Sequence, residues 1–419
     1  MLLCRGGAIM RVLTVMLGVP LPADTGLNLR QMAILRLVRE VGCESHAMVF
    51  MTAERPTLPP DLLEHCDGVR NAGPRVEYNA LGVGSRAWLR CGMAFSALIR
   101  RSSKTYPFSV PYDLAGAEGL VVDAVEELDA DVVILPTTLV HFARRLTALG
   151  VVVIGDSADV VSQLTRRVLK GVGSAAWRRP GLVVNHFAAV RQEQLFLGKC
   201  AEFWATTGAE AEILKDLAPH ANVLVAGNAI DAGLIMKTKL PEEGPVGFIG
   251  NYSLAPNLDA ACFLVEQVLP LLHQRRPGAT LALAGAGMPA EFVSRLGKAR
   301  GVELLGRVEE SCEFIRTCRV MALTVHLRGG VPLKLVEALA CGRPVVATRE
   351  MVSGLSLQEG VEVLVGSEPG EIAAAISRVL GNSDLARSLA ENGRIRFERD
   401  FSFATSLRQV KQSSVLAVR

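Results

Sequence analysis

Short runs of apolar and β-branched residues alternate with longer segments of helical periodicity along most of this chain of 419 residues. Runs that are apolar throughout indicate strands buried on both faces, and such strands occur in parallel sheets covered by helices. The alternation occurs twice, with runs at residues 12–17, 46–51, 131–136, 151–156, 202–207 and 222–227 and then at residues 245–250, 280–285, 302–306, 319–324, 344–348 and 361–366. The sequence therefore predicts an α/β fold with two Rossmann-like domains that face a central cleft, where ligands bind.

The polar segment MKTKLPEEGP, at residues 236–245, separates the two series. Its proline and glycine residues are typical of a linker. We therefore expect one domain over residues 1–238 and a second over residues 239–402. Residues 403–419 follow a break in a helical pattern, and we expect them to form a final helix.

The composition argues against several classes of protein. A formal net charge of +3 gives no basic footprint for nucleic acid. The nine cysteines include no C-x-x-C pair and no Cys/His zinc spacing, so we expect reduced thiols in a cytoplasmic protein. No apolar run reaches the ~18 residues of a membrane span, and the apolar N-terminal run fits a first buried strand, so we expect no export signal.

The segment SQLTRRVLKGVGSAAWRRP, at residues 162–180, is rich in basic residues and contains one tryptophan. Two interpretations of this segment stay open. The favoured one is a solvated basic helix with its loop. The other is a peripheral contact with an anionic inner-membrane surface or with a charged acceptor.

The stretch RGGVPLKLVEALACGRPVVAT, at residues 328–348, combines two glycines with a short helical pattern that follows a buried strand. Backbone amides at the start of such a helix attract an anion, and glycines allow it to approach closely. Lys334 could neutralise a phosphate, and the Glu337 carboxylate could accept hydrogen bonds from a ribose diol. The alternative is that Lys334 and Glu337 form an ordinary i,i+3 pair, worth about 0.2–0.5 kcal/mol.

Two further glycine turns follow predicted strands of the second series. They are FIGNYSLAPN, at residues 248–257, and ALAGAGMP, at residues 282–289. Neither is a complete dinucleotide-binding or P-loop motif, so each alone is a weak signal. Together with the stretch at residues 328–348, they indicate backbone amides along one edge of a sheet.

These motifs give the C-terminal half a resemblance to a known family. The ordered segments GNYSLAPNLDA, LALAGAG, VELLGRVEE and GGVPLKLVEALACGRPVVAT resemble those of retaining glycosyltransferases with the GT-B fold, family 4. The resemblance is close over residues 245–400. It is weaker in the N-terminal half, where PLPADTGLNLRQMAILRLVREVG, GDSADVVS and VLVAGNAID carry it.

The resemblance implies roles for individual residues. Glu337 matches the glutamate that binds the donor ribose. The loop whose amides meet the donor diphosphate corresponds to Gly329, Gly330 and Val331, and the loop that faces the phosphates from the other side contains Gly250 and Asn251. The resemblance also implies that Arg307 lies near the nucleobase, that Gly26 lies near the sugar and acceptor, and that residues 403–419 cross back to the N-terminal domain.

The sequence departs from the family pattern at several positions. The basic residues that the family carries in the Gly250 loop are missing, so Arg328 and Lys334 are our candidates for neutralising the phosphates. In GDSAD, Ala158 stands where the family often has a histidine. Asp156 and Asp159 remain there as candidate catalytic groups that orient the acceptor, and helix capping is the equally favoured alternative.

The resemblance implies transfer of a sugar from a nucleotide-sugar donor, such as a UDP- or GDP-sugar, to an acceptor hydroxyl with retention of configuration. It implies an acceptor-binding domain at residues 1–238, a donor-binding domain at residues 239–402, no cofactor and no metal. The context would be bacterial polysaccharide, glycolipid or natural-product biosynthesis. The alternatives are an inactive nucleotide-sugar-binding paralogue or accessory subunit, and a nucleotide-sugar epimerase of the same fold. The sequence predicts neither the donor sugar and acceptor nor an oligomeric state.

Overall fold

The computed structural model describes residues 9–18, 21, 26–51, 57–72, 116–157, 160, 162–163, 165–166, 169, 180–230, 238–325 and 331–417. The chain divides by its internal contacts into two compact units. The first comprises Met1–Ala229 with Ser406–Arg419, and the second comprises Ile230–Thr405.

The first unit contains a parallel sheet of seven strands, counted over the described residues. The strands are β1 Arg11–Leu17, β2 Glu44–Phe50, β3 Gly68–Asn71, β4 Val132–Pro136, β5 Val152–Ser157, β6 Glu202–Ala205 and β7 Val223–Val225, in the spatial order β3-β2-β1-β4-β5-β6-β7. The helices are α1 Gly26–Glu40, α2 Ala117–Leu128, α3 Ala143–Ala148, α4 Pro180–Leu197 and α5 Gly208–Leu217, with 3₁₀ turns at Pro60–Glu64 and Thr137–Phe142. Apolar side chains of the strands form cores on both faces of the sheet.

The second unit contains a parallel sheet of six strands in its described part. The strands are β8 Val246–Ile249, β9 Leu281–Ala284, β10 Val302–Gly306, β11 Val320–Leu323, β12 Val345–Ala347 and β13 Leu364–Val365, in the spatial order β10-β9-β8-β11-β12-β13. The helices are α6 Ala255–Cys262, α7 Leu269–Arg275, α8 Ala290–Leu296, α9 Ser311–Thr317, α10 Leu333–Ala340, α11 Arg349–Val352, α12 Pro369–Gly381 and α13 Ser383–Asp400, and the turn Phe263–Val268 between α6 and α7 is π-helical. The last helix, α14 Phe403–Val410, begins in the second unit and belongs to the first unit from Ser406 onward. The predicted α/β class with two Rossmann-like sheets is therefore confirmed.

The strand β3 was not predicted from the sequence. Its four residues, GVRN, are half-buried or exposed, and it pairs only with β2 in the described sheet. A strand at the edge of a sheet buries little apolar surface, so it lacks the continuous apolar run that marks the central strands.

The segment that the sequence indicates as a linker is in part fixed to the second unit. The buried Arg343 side chain donates hydrogen bonds from Nη2 to Thr238 Oγ1 at 2.6 Å and from Nη1 to Thr238 O at 3.3 Å. Arg319 Nη1 donates to Pro241 O at 2.6 Å. By internal contacts the chain divides between residues 229 and 230, before the expected domain boundary at 238/239, which stays a prediction.

A buried glutamate holds the C-terminal segment in the first unit. Glu202, on β6, is 1% exposed, and its carboxylate accepts hydrogen bonds from Ser413 Oγ at 2.7 Å, Ser414 N at 2.8 Å and Trp204 Nε1 at 2.7 Å. A buried carboxylate needs such donors because burial removes its hydration. Residues 406–419 are grouped with the first unit, although they follow the second unit in the chain.

The described residues contain neither a disulfide nor a helix that could cross a membrane. The described cysteines are free thiols. Each helix in this part of the chain is too short or too polar to span a bilayer.

A buried histidine should make the stability of the protein depend on pH. His141 lies in the 3₁₀ turn after β4, and burial lowers its pKa from 6.5 to about 4. The unfolded chain therefore binds a proton that the folded protein rejects between these pH values, so the unfolding free energy should fall by about 3 kcal/mol as pH drops from 6.5 to 4. Urea unfolding at several pH values in this range gives the slope of the unfolding free energy against pH. This slope should be shallower for His141→Gln than for the parent protein, and it should be unchanged for His220→Gln, at an exposed position. Equal slopes for His141→Gln and the parent protein would refute the assignment.

Candidate functional site

Three connections of the second unit begin at the same end of its sheet. Neighbouring parallel strands end on the same side, so the segments that follow β8, β9 and β11 are adjacent. We call residues 250–254, between β8 and α6, the β8 loop. The third connection leads from β11 to α10, and residues 326–330 within it lie outside the described part of the chain.

The glycines of the first two connections allow the loops to pack against each other. Gly285 has φ +132°, and a Cβ there would lie 1.9 Å from Gly250 O. A Cβ on Gly287, at φ +76°, would lie 2.3 Å from Ser253 Oγ. The amide of Gly250 donates to Ala284 O at 3.1 Å, and that of Gly285 donates to Gly306 O at 2.7 Å. These two amides are therefore used in hydrogen bonds inside the second unit.

The helix α10 carries both predicted donor-site charges. It begins at Leu333, after the N-cap residue Pro332. Leu335, Val336 and Leu339 are buried in the core of the second unit. Lys334 and Glu337 are half-buried instead, because the 3.6-residue period turns them away from the most buried stripe. Val331 is also half-buried, and it packs against the same core.

Glu337 is held by a hydroxyl from a neighbouring helix. Ser311 Oγ, at the start of α9, donates a hydrogen bond to Glu337 Oε1 at 3.0 Å. Burial raises the pKa of Glu337, while the Ser311 hydrogen bond and the Lys334 charge oppose that rise. The second oxygen, Oε2, has no hydrogen-bond partner among the described residues. The carboxylate is therefore oriented on one side and can accept further donors on the other.

Lys334 contacts the β8 side of the site. Its Nζ donates to Asn257 Oδ1 at 2.6 Å and lies 4.9 Å from the centroid of the Phe248 ring. Burial lowers the pKa of Lys334 to about 8, although the Glu337 charge acts to raise it. Within the described residues, Lys334 and Glu337 form no ion pair. Their charges nevertheless act on each other along the helix, so the interpretation as an i,i+3 pair stays a prediction.

The structure describes only some of the other predicted donor-site residues. Asn251 is exposed in the β8 loop, and Arg307 is exposed directly after β10. Arg328, Gly329 and Gly330 lie outside the described residues, as does Asp159 in the first unit. The structure thus brings together Gly250, Asn251, Lys334 and Glu337.

Asp156 is engaged by an arginine of its own unit. The carboxylate is 6% exposed, and Arg30 Nε donates to Oδ1 at 2.9 Å and to Oδ2 at 3.0 Å. Arg30, on α1, is 2% exposed and also donates from Nη1 to Ala226 O at 2.9 Å. The pair therefore joins β5, α1 and the segment after β7. A role for Asp156 at an acceptor stays a prediction, as does the placement of an acceptor near Gly26, which is exposed at the start of α1.

Three residues of this site were not predicted from the sequence as site residues, namely Phe248, Asn257 and Ser311. In the sequence, Phe248 has the pattern of an ordinary core residue of a strand, and Ser311 has that of an ordinary residue at the start of a helix. Asn257 lies 77 positions from Lys334 in the chain. No local pattern connects residues so far apart, so only the folded structure identifies them. The described residues also contain no cluster of three or more His, Cys, Asp or Glu side chains that could hold a metal ion.

Comparison with known proteins identifies related sequences for part of this chain. Residues 244–382 match the family described as glycosyl transferases group 1. An uncharacterized glycosyltransferase of Methanocaldococcus jannaschii is 30% identical over 115 residues, which are 26% of this chain and 32% of that protein. The MMP alpha-(1→4)-mannosyltransferase of Mycolicibacterium hassiacum is 26% identical over 257 residues, which are 59% of this chain and 61% of that protein. The chain thus spans less than two thirds of the length of these curated relatives.

Solved structures of other proteins are similar to this protein over nearly its whole length. Anabaena HepE in complex with UDP and glucose has a TM-score of 0.61 at 17% identity, with 96% of this chain and 98% of that chain covered. Sucrose-phosphate synthase from Thermosynechococcus elongatus has a TM-score of 0.66 at 16% identity, with the same coverage. The chain therefore has a fold of the GT-B type, and its residues 244–382 are similar to the glycosyl transferases group 1 family.

Proposed function

We propose that the protein is a glycosyltransferase that moves a sugar from a nucleotide-sugar donor to an acceptor hydroxyl. The observation that carries this proposal is the arrangement on α10, where a half-buried carboxylate and a half-buried ammonium lie one turn apart beside the β8 loop. The match of residues 244–382 to a glycosyltransferase family supports it. The likeness to HepE, whose crystals contain UDP and UDP-glucose, favours a uridine diphosphate sugar among the donors.

The two side chains fit the two ends of a nucleoside diphosphate. Glu337 has one oxygen fixed by Ser311, so its other oxygen can accept hydrogen bonds from ribose hydroxyls. Lys334 retains two N–H donors beyond the one given to Asn257, and an ammonium stabilises the charge that develops on a departing diphosphate. A partly desolvated cation is more effective in this role than one in bulk water, because the surrounding dielectric constant is lower.

The finer features of the reaction belong to the same proposal. Front-face attack by the acceptor hydroxyl would give retention of configuration, as in family 4. Arg328 with the Gly329–Gly330 amides would meet the diphosphate, Arg307 would lie near the base, and Asp156 or Asp159 would orient the acceptor. The protein would work in the cytoplasm without a metal or cofactor, in polysaccharide, glycolipid or natural-product biosynthesis.

The experiment that tests this function measures donor binding and nucleotide release together. The purified protein is incubated with UDP-, GDP- and dTDP-sugars, with and without hydroxyl acceptors that range from glycerol to aryl glycosides. We expect at least one donor to raise the melting temperature and to release its nucleotide faster when an acceptor is present, and NMR of the product should show the donor's anomeric configuration. Binding without release, conversion of the donor sugar itself, or no binding to any donor would each overturn the proposal.

A further inference from the structure

The side chain of Asn257 connects the two halves of the candidate donor site. It lies in the first turn of α6, where its Oδ1 accepts from Lys334 Nζ at 2.6 Å and its Nδ2 donates to Asn251 O at 2.8 Å. An ammonium can only donate and a carbonyl oxygen can only accept, so these partners fix which end of the amide faces which group. The single side chain therefore joins α10 to the β8 loop.

The β8 loop is built closely around this amide. Asn251 Oδ1 accepts a hydrogen bond from Ser253 N at 3.0 Å, which fixes the turn whose carbonyl Asn257 binds. A Cβ at Gly250 would lie 2.9 Å from Asn257 Cγ, which is closer than real side chains approach. The glycine at position 250 is therefore needed for Asn257 to reach Asn251 and Lys334 together.

The surroundings of Lys334 leave its positive charge without a direct counter-ion in the described residues. Phe248, from β8, and Asn257, from α6, are uncharged. Glu337, on the same helix, is the charged group that acts on the ammonium from nearby. Glu337 is in turn faced by the neutral Ser311 hydroxyl and the Cys312 thiol of α9 and by the Cys341 thiol. An aspartate at position 257 would have the same shape as the asparagine, but it would cancel the charge.

We infer that Asn257 is a positioning residue for the donor diphosphate: it fixes the Lys334 ammonium beside the β8 loop while leaving that charge available to an anionic ligand. This inference rests on the proposed function, and it adds the residue that orients the cation. The recognised group is the diphosphate of a nucleoside diphosphate, whatever sugar or base is attached.

The inference is tested first without any ligand. The titration of Lys334 is measured by competitive labelling with acetic anhydride and mass spectrometry, in the parent protein and in three variants. Asn257→Asp should raise the pKa of Lys334 above its starting value of about 8, and Asn257→Leu should lower it further, because the first adds a negative charge and the second removes an acceptor for the charged form. Asn392→Asp, on α13, is the matched control and should leave the titration unchanged.

The second measurement is the affinity for UDP between pH 7 and 9, by isothermal titration calorimetry. Asn257→Asp and Asn257→Leu should each weaken UDP binding at pH 7 by about tenfold or more, although they shift the Lys334 titration in opposite directions. The parent protein should lose affinity for UDP at alkaline pH, as Lys334 loses its proton. In Asn257→Asp this loss should occur at a higher pH. A merely structural asparagine would not produce opposite shifts with a common loss of affinity. If Asn257→Leu does not fold, the Lys334 titration and the UDP affinity are both measured on Asn257→Asp.

The outcomes separate this inference from the proposed function. If the parent protein binds UDP and the Asn257 variants change neither the titration nor the affinity, the positioning role is refuted while the donor site stands. If the titration shifts as expected but the parent protein binds no nucleoside diphosphate, the contact stands and the assignment to a diphosphate is overturned together with the proposed function.

Discussion

Glu337→Ala is expected to weaken the binding of UDP by about 100-fold or more and to remove the ligand-induced rise in melting temperature. A carboxylate that accepts hydrogen bonds from ribose hydroxyls contributes about 1.5–3 kcal/mol for each bond, and two such bonds correspond to at least a hundredfold in affinity. Thermal shift and calorimetry with UDP measure the effect. Glu313→Ala, at an exposed position on α9, is the matched control and should bind as the parent protein does. An unchanged shift for Glu337→Ala would remove Glu337 from the donor site.

The companion variant Glu337→Gln separates ligand binding from folding. Burial raises the pKa of Glu337, so the folded protein disfavours the ionised carboxylate, and a neutral amide of the same shape should leave the melting temperature equal or higher. The Ser311 hydroxyl can still donate to the amide oxygen. UDP binding should nevertheless weaken, because an amide is a poorer acceptor than a carboxylate. A large loss of stability would instead indicate that Glu337 supports the fold of the second unit.

Asp156→Ala is expected to lower the free energy of unfolding of the first unit by about 3–5 kcal/mol. The Arg30 guanidinium is 2% exposed, and loss of its carboxylate partner leaves a buried positive charge uncompensated. Urea unfolding monitored by tryptophan fluorescence measures the change, since Trp204 lies on β6 of this unit. Glu127→Ala breaks the exposed pair of Arg70 and Glu127 and should change stability little.

A double variant distinguishes a structural Asp156 from one that touches the acceptor. Replacement of both partners, Arg30→Met with Asp156→Leu, removes the buried charges together and should recover most of the stability lost in Asp156→Ala. Transfer activity should survive in this protein if Asp156 acts only through Arg30. A stable double variant without transfer would support the acceptor role that the sequence predicts for Asp156, and a double variant as unstable as Asp156→Ala would contradict our account of the pair.

The predictions from the sequence were most accurate for the central strands. In β1, β4 and β11, both faces of the strand are covered, so the hydrophobic effect requires an apolar residue at nearly every position, and such runs are visible in the sequence. The half-buried edge strand β3 escaped prediction because that requirement is absent there.

The sequence alone determined the α/β class, the two series of strands and the helix that carries Lys334 and Glu337, because these follow from local periodicity and from glycines next to a helix start. The tertiary structure decided which groups those charges contact. Lys334 contacts Asn257, 77 positions away, and Asp156 contacts Arg30, 126 positions away. Hydrogen bonds and ion pairs depend on atomic distances of about 3 Å, and the chain brings such distant residues together only when the sheets and their covering helices have packed.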